Sequence, residues 1–319
     1  MNTIQSLRSS TRKALNTLVI GGIIASVVNP APALAATDCS AIRPVGHRGE
    51  IARDRTENTA RSLEYAAANG AGGVEFDIRL SKDRQWVLMH DATVGRTTNG
   101  SGYVSRRYAS TITGRYLTND SRVVGMRLHA PLLSEVINGS GTNMQTGLAQ
   151  KYPSLRYQVE FKPSKRATVE DVARALDLLT ANAPESQVVA TSTSMSMLDK
   201  IHAARPSIAR AYISLQSPTP QALLPILQAR GIQYANVGFN SVNTEFVDQA
   251  HALGLNVSLR GAKTPDQWLY ALSLNPDSLV MDYPSQYVAW CQEYTNTPPT
   301  LRRATVPKLT IPKTYVQPD

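Results

Sequence analysis

The sequence lacks the features that would indicate a nucleic-acid-binding protein. Its 319 residues contain no extended pattern of basic and aromatic side chains, although the formal net charge is +9. Much of the positive charge lies before residue 14 or after residue 299, so the body of the chain is only mildly basic. We therefore expect no nucleic-acid partner.

Acidic residues are absent before Asp38. The chain instead begins with basic residues, continues with an apolar stretch from Ala14 to Val28, and reaches the small-residue run 33–36. This order is typical of a secretory signal peptide over residues 1–36, cleaved near Ala35-Ala36. We expect a secreted protein, extracellular or periplasmic. The alternative is a retained anchor helix, for which the apolar stretch is short.

No later stretch is long and apolar enough to span a bilayer, so we expect no stable membrane span in the mature protein. Cysteine is also rare, with only Cys39 and Cys291 in the chain. An even number of cysteines in an exported protein favours a disulfide.

The body of the chain, residues 37–295, alternates short apolar strands with helices. Parallel strands are predicted near residues 45, 75, 157, 188, 210, 235, 257 and 279. Eight such strands over about 250 residues are typical of an α/β fold of the (β/α)₈ or TIM-barrel type. No internal repeat is evident, and the Pro-rich, basic residues 296–319 are predicted to form an extended tail.

Two additions to the barrel are predicted. A short hairpin strand covers about residues 86–89, and a long polar excursion follows it from Ala92 to about Gly125. Closure of the barrel would place the first and last strands side by side. Cys39 precedes the first strand and Cys291 follows the last, so we expect the disulfide to join them.

The stretch from Val74 to Asp91 carries the strongest chemical signal. Glu75 and Asp77 lie on one face of a strand, because alternate residues of a strand share a face. Two adjacent carboxylates repel each other unless a cation lies between them, and a hard divalent ion prefers oxygen ligands. A turn would bring His90 back toward these acids. The alternative is a solvated edge strand with a surface histidine.

Other polar residues fall at the carboxyl ends of predicted strands, where barrel enzymes place their functional groups. We interpret Asp282, after the last strand, as structural rather than catalytic. We also assign no function to the loop and helix histidines His129, His202 and His251. The residues that end the first and third strands are His47, Arg48, Glu160 and Lys162.

On these motifs the chain resembles the glycerophosphodiester phosphodiesterase family. The resemblance covers about residues 43–288, and the order and spacing of the motifs make it specific. The matching segments are Gly46-His47-Arg48-Gly49, Glu57-Asn58-Thr59, Val74-Glu75-Phe76-Asp77, Lys82-Asp83, His90-Asp91 and Val159-Glu160-Phe161-Lys162, with weaker matches at 131–135 and 282–284.

The resemblance implies a metal-dependent hydrolase of small or lipid-derived phosphodiesters. Glu75, Asp77 and Glu160 would hold one divalent ion. All-oxygen ligation with expected secretion favours Ca²⁺, with Mg²⁺ possible. His47 would act as the base and His90 as the acid.

The same resemblance implies supporting roles. Arg48 and Lys162 would hold the phosphate oxygens. Glu57 would contact the metal or Arg48, whereas Asn58 would order its loop.

The chain departs from the family at two pocket positions. Arg260 stands where relatives carry a pocket tryptophan, and Thr193 where they often carry an aromatic residue. We predict that Arg260 favours polar or anionic alcohols, such as glycerophosphoinositol, over glycerophosphocholine.

Two other functions fit the sequence. One is a phospholipase D-like enzyme on the same barrel, acting on lysophospholipids or phospholipids, although the Glu-Asn-Thr motif favours the first assignment. The other is an inactive binding or cell-wall module. Loss of activity should have removed the histidines or the carboxylates, and all of them are present.

Overall fold

The protein is described by a computed structural model that covers residues 38–52, 55–118, 129–139 and 146–297. The predicted signal peptide, the tail beyond residue 297 and the end of the polar excursion lie outside the described residues.

Eight parallel strands form a closed barrel, because β1 pairs in parallel with both β2 and β9. One further strand, β3, pairs with β2 in the antiparallel direction and lies outside the barrel. This arrangement confirms the predicted (β/α)₈ fold with its extra hairpin strand. The strands are β1 Pro44–His47, β2 Gly73–Leu80, β3 Trp86–Leu88, β4 Arg156–Phe161, β5 Val188–Ser192, β6 Ala209–Ile213, β7 Tyr234–Gly238, β8 Asn256–Arg260 and β9 Ser278–Met281.

Helices connect the strands and cover the barrel. Several begin at a side-chain cap, as in α1, where the Thr59 hydroxyl accepts a hydrogen bond from the backbone N–H of Ser62. The helices are α1 Ala60–Ala68, α2 Ala109–Thr113, α3 Leu133–Asn138, α4 Leu148–Lys151, α5 Val169–Thr180, α6 Met195–Ala204, α7 Leu223–Ala229, α8 Thr244–Ala252, α9 Pro265–Ser273 and α10 Pro284–Asn296.

Strand β2 shows how the barrel positions charged groups. Val74, Phe76 and Ile78 alternate along it and are fully buried in the hydrophobic core. Glu75 and Asp77 lie on the opposite face and are only 4% and 1% exposed. Because both faces of a barrel strand are covered, these two acids are buried without being part of the apolar core.

A disulfide joins Cys39 to Cys291 on α10. The Tyr287 hydroxyl also donates a hydrogen bond of 2.9 Å to the Cys39 carbonyl. Both contacts fasten the segment before β1 to the helix after β9.

None of the described helices combines the length and the apolar composition that a membrane crossing requires.

Candidate active site

Three buried carboxylates meet at the carboxyl ends of β2 and β4. Asp77 and Glu160 are partners in the parallel β2–β4 pairing, and Glu75 is the partner of His47 in the β1–β2 pairing. One oxygen from each of Glu75, Asp77 and Glu160 lies within 4.8 Å of the others. The barrel therefore assembles the three acids that the sequence predicted as metal ligands, and we call them the carboxylate cluster.

The charges of the carboxylate cluster are strongly perturbed. Burial, reinforced by the charge of Asp77, raises the pKa of Glu75 well above its ordinary value and that of Glu160 to about 7. Burial also opposes the ionisation of Asp77, but the cations of Lys162 and Arg48 outweigh it and lower the pKa of Asp77. The cluster is thus short of positive charge.

Lys162 lies against the carboxylate cluster. Its Nζ is 2.8 Å from Asp77 Oδ1 and 2.8 Å from Glu160 Oε1. Both contacts are ion pairs with one ammonium, and Arg48 contacts the other oxygen of Asp77. Two positive charges thus face three buried carboxylates, and buried charges need compensation. The carboxylate cluster therefore fits a divalent cation with oxygen ligands.

Arg48 links the first strand to the carboxylate cluster. Its backbone N–H donates to Glu75 Oε2 at 2.9 Å, its Nε lies 3.2 Å from Asp77 Oδ2, and its Nη1 donates to Glu57 Oε1 at 3.0 Å. Glu57 therefore contacts Arg48, one of the two alternatives predicted for it. The turn needs glycine at position 49, where φ is +84° and a Cβ would lie 2.4 Å from the Ser62 backbone.

Asn58 does more than order its loop. Its Nδ2 donates to Asp77 Oδ2 at 2.8 Å, and its Oδ1 accepts from the Asp77 backbone N–H at 2.9 Å. This pair of hydrogen bonds fixes the Asp77 carboxylate.

His47 is oriented by Asp282, which the sequence analysis had interpreted as structural. His47 Nδ1 lies 2.7 Å from Asp282 Oδ1, and Lys263 Nζ lies 2.8 Å from the other oxygen. A proton on Nδ1 would leave Nε2 as the free basic nitrogen. The sequence signal for this role was the position of Asp282 directly after the last strand. Closure of the barrel brings that strand beside β1.

His90 has a corresponding partner in Asp91, whose Oδ1 lies 2.8 Å from His90 Nδ1. Arg96 pairs with both Asp91 and Glu57. Arg79 Nε donates to the His90 carbonyl at 2.8 Å. Burial lowers the pKa of His90, while Asp77 and the bond to Asp91 act in the opposite direction. The sequence motif contained Asp91, but no role had been assigned to it, to Arg79 or to Arg96.

A cavity of about 230 Å³ opens beside His47, Arg48 and Asp282. Arg260 lines it, as predicted for a pocket residue, but its Nη1 donates to Asn236 O at 2.9 Å and its Nη2 to Ser214 O. Burial lowers the pKa of Arg260 to about 10. Its effect on substrate choice stays a prediction.

Thr193 follows β5 and is partly exposed. It is not among the described residues that line the His47 cavity. Its role as a pocket residue also stays a prediction.

Comparison with known proteins agrees with this geometry. The model of the glycerophosphoryl diester phosphodiesterase family matches residues 47–286. The chain is similar to a glycerophosphodiester phosphodiesterase from Bacillus altitudinis, with 24% identity over 243 residues, which are 76% of this chain and 95% of that protein. It is also similar to glycerophosphodiester phosphodiesterase 1 from Rattus norvegicus, with 51% identity over 61 residues. That match spans only 19% of this chain and 18% of the rat protein.

The barrel resembles solved structures as well. One is a phosphodiesterase from Oleispira antarctica in complex with the product sn-glycerol-3-phosphate, with a TM-score of 0.69 and 23% identity. The match covers 79% of this chain and 96% of that chain. At this identity the likeness supports the fold.

Proposed function

Because the chain belongs to the glycerophosphoryl diester phosphodiesterase family, we propose that it hydrolyses glycerophosphodiesters to an alcohol and glycerol phosphate. One observation carries the proposal. Two histidines, each bonded through Nδ1 to a carboxylate, accompany the cluster of three buried carboxylates. These are the groups needed to bind a phosphodiester and move two protons.

The carboxylate cluster would hold one divalent cation, with Ca²⁺ favoured over Mg²⁺. The approach of its three buried carboxylates to within 4.8 Å of one another supports this assignment. Such an ion supplies positive charge to phosphate oxygens as negative charge builds on them. Arg48 and Lys162 add fixed positive charge at the same place.

His47 is the proposed base. With Nδ1 held by Asp282, Nε2 would accept the proton of the glycerol hydroxyl as that oxygen forms a bond to phosphorus. His90 would donate a proton to the leaving alcohol oxygen as its bond to phosphorus breaks. Water would then open the cyclic phosphate, with the two histidines exchanging roles.

The proposed location is outside the cytoplasm. The Cys39–Cys291 disulfide supports it, because disulfides persist in oxidising compartments. A test is alkylation of free thiols after purification from the native compartment, where two free thiols would contradict the proposal.

The test of function is a substrate panel. Glycerophosphodiesters, lysophospholipids and bis(4-nitrophenyl) phosphate would each be assayed by the released alcohol or nitrophenol, with and without a chelator. We expect glycerol phosphate as a product and loss of activity with the chelator. Hydrolysis of lysophospholipids alone would favour a phospholipase D-like enzyme, and no turnover of any substrate would indicate an inactive module.

A further inference from the structure

A second cavity, of about 250 Å³, opens beside Lys162 and the four residues that follow it. Its lining includes four cationic side chains and, among the described residues, no acidic one. We call it the cationic cavity. Its basic residues are Arg79, Lys162, Lys165 and Arg166.

Two of these cations have no carboxylate partner among the described residues. Lys165 is exposed and has no hydrogen bond or ion pair within the described chain. Arg166 donates to the neutral carbonyls of Ser105 and Lys82, the latter at 3.1 Å. Arg79 donates to the His90 carbonyl and faces the charges of Asp77, Glu160 and Asp91. The positive charge of Lys165 and Arg166 therefore remains available to an anion.

The cationic cavity adjoins the reacting centre on the side of His90. Lys162 lines the cavity and contacts Asp77 and Glu160, while Arg79 holds the His90 carbonyl. The His47 cavity is lined by a different set of residues. In a phosphoryl transfer the attacking and leaving oxygens lie roughly in line. The two cavities share no lining residue, so a substrate whose glycerol occupies the His47 cavity has separate space for its leaving alcohol in the cationic cavity.

We propose that the leaving alcohol carries a second phosphate, as a phosphate monoester, and that Lys165 and Arg166 bind it. This inference rests on the proposed function. A phosphate monoester offers several acceptor oxygens and about two negative charges. These suit the lysine ammonium of Lys165 and the guanidinium N–H groups that Arg166 does not use toward Ser105 and Lys82. A cationic alcohol such as choline would be repelled. The inference does not depend on Arg260, which lines the His47 cavity and not the cationic cavity.

A matched pair of substrates tests the proposal. Glycerophosphoinositol and glycerophosphoinositol 4-phosphate differ only in one phosphate monoester. We expect the purified enzyme to prefer the phosphorylated diester by about tenfold in kcat/KM, through a lower KM, since a charged hydrogen bond of this kind contributes about that factor. The preference should fall as salt is added.

Variants test whether Lys165 and Arg166 cause the preference for the phosphorylated diester. Lys165→Gln and Arg166→Gln should each reduce the preference several-fold without changing turnover of unphosphorylated glycerophosphoinositol. Arg166→Lys, which keeps the positive charge, should retain most of the preference for the phosphorylated diester. The matched control is Arg156→Gln, an exposed arginine at the opposite end of β4, which should leave the preference unchanged.

The outcomes separate the two proposals. Equal kcat/KM for both diesters, or a preference that neither Lys165→Gln nor Arg166→Gln reduces, would overturn the phosphate site and leave the phosphodiesterase function intact. Failure to hydrolyse either diester or any other glycerophosphodiester would overturn both.

Discussion

Asp282 Oδ1 lies 2.7 Å from His47 Nδ1, although 235 residues separate the two in the chain. The contact exists because barrel closure pairs Gly46 of β1 with Met281 of β9, so the residues that follow these two lie side by side. Asp282 thereby selects the tautomer of His47 in which Nε2 is free.

Asp282→Asn should lower kcat by about 10²–10⁴-fold while leaving KM and the far-ultraviolet circular dichroism little changed, because an amide can stabilise the wrong imidazole tautomer. Lys263→Met is the control, since Lys263 contacts the other oxygen of Asp282. It should have a much smaller effect. Near wild-type kcat in Asp282→Asn would show that Asp282 does not position His47.

His47→Ala and His90→Ala should each lower turnover by about 10²–10⁴-fold, the range typical of a lost general acid or base. Steady-state kinetics with glycerophosphoinositol would measure the loss. Both variants should still bind the divalent ion in a calorimetric titration, because neither histidine belongs to the carboxylate cluster. Wild-type rates in either variant would remove that histidine from the mechanism.

Asp91→Asn should impair the enzyme more as the pH rises. The hydrogen bond that the Asp91 carboxylate accepts from His90 raises the pKa of His90 against the opposing effect of burial, so its loss lowers that pKa further. A general acid with a lower pKa is less protonated at high pH, whereas at low pH it is protonated in both enzymes. The measurement is the ratio of variant to wild-type kcat/KM between pH 5 and pH 9. If His90 acted as the base, the variant would instead gain relative to wild type at low pH and the ratio would approach its plateau at high pH. A ratio that does not change with pH would show that Asp91 does not act through the pKa of His90.

Ca²⁺ or Mg²⁺ should raise the thermal unfolding temperature, and more so at pH 8 than at pH 5.5. Glu160 has a pKa raised to about 7 and the pKa of Glu75 is also raised, so at pH 5.5 protons compete with the metal. These raised values also mean that the metal-free fold loses stability as the pH rises from about 4.5 through 7. Differential scanning fluorimetry would measure both trends.

Glu160→Gln is the matched variant for the metal prediction. It removes one ligand charge from the carboxylate cluster, so the rise in unfolding temperature that the ion produces should be much smaller. An equal shift in wild type and Glu160→Gln, or full activity after exhaustive chelation, would show that the ion binds elsewhere or is not needed.

Replacing both cysteines by serine should lower the free energy of unfolding by about 2–5 kcal/mol, the usual range for a native disulfide. The enclosed loop of 252 residues is long, which increases the chain-entropy effect. Denaturant unfolding of the double variant beside the oxidised protein would measure it. Tyr287→Phe, which removes the hydrogen bond to the Cys39 carbonyl, is a control expected to cost about 1 kcal/mol. A double variant as stable as wild type would show that the crosslink is dispensable.

The sequence by itself determined the fold class and predicted the reactive groups. The alternation of short apolar strands with helices identified the barrel, because each strand must bury both faces. Glu75 and Asp77 could be assigned to one face of a strand from the two-residue period alone. The contact of Glu57 with Arg48 was one of the two alternatives that the family resemblance implied.

Only the tertiary structure decided which distant groups touch. The pairing of Asp282 with His47 depends on closure between β1 and β9, and the use of Asn58 to hold Asp77 depends on the path of one loop. Neither follows from local periodicity. The bonds of Arg260 to the Asn236 and Ser214 carbonyls and the gathering of four cations along one cavity likewise depend on packing between elements. Local sequence specifies backbone conformation and face, whereas long-range contacts arise from how the strands close into a barrel.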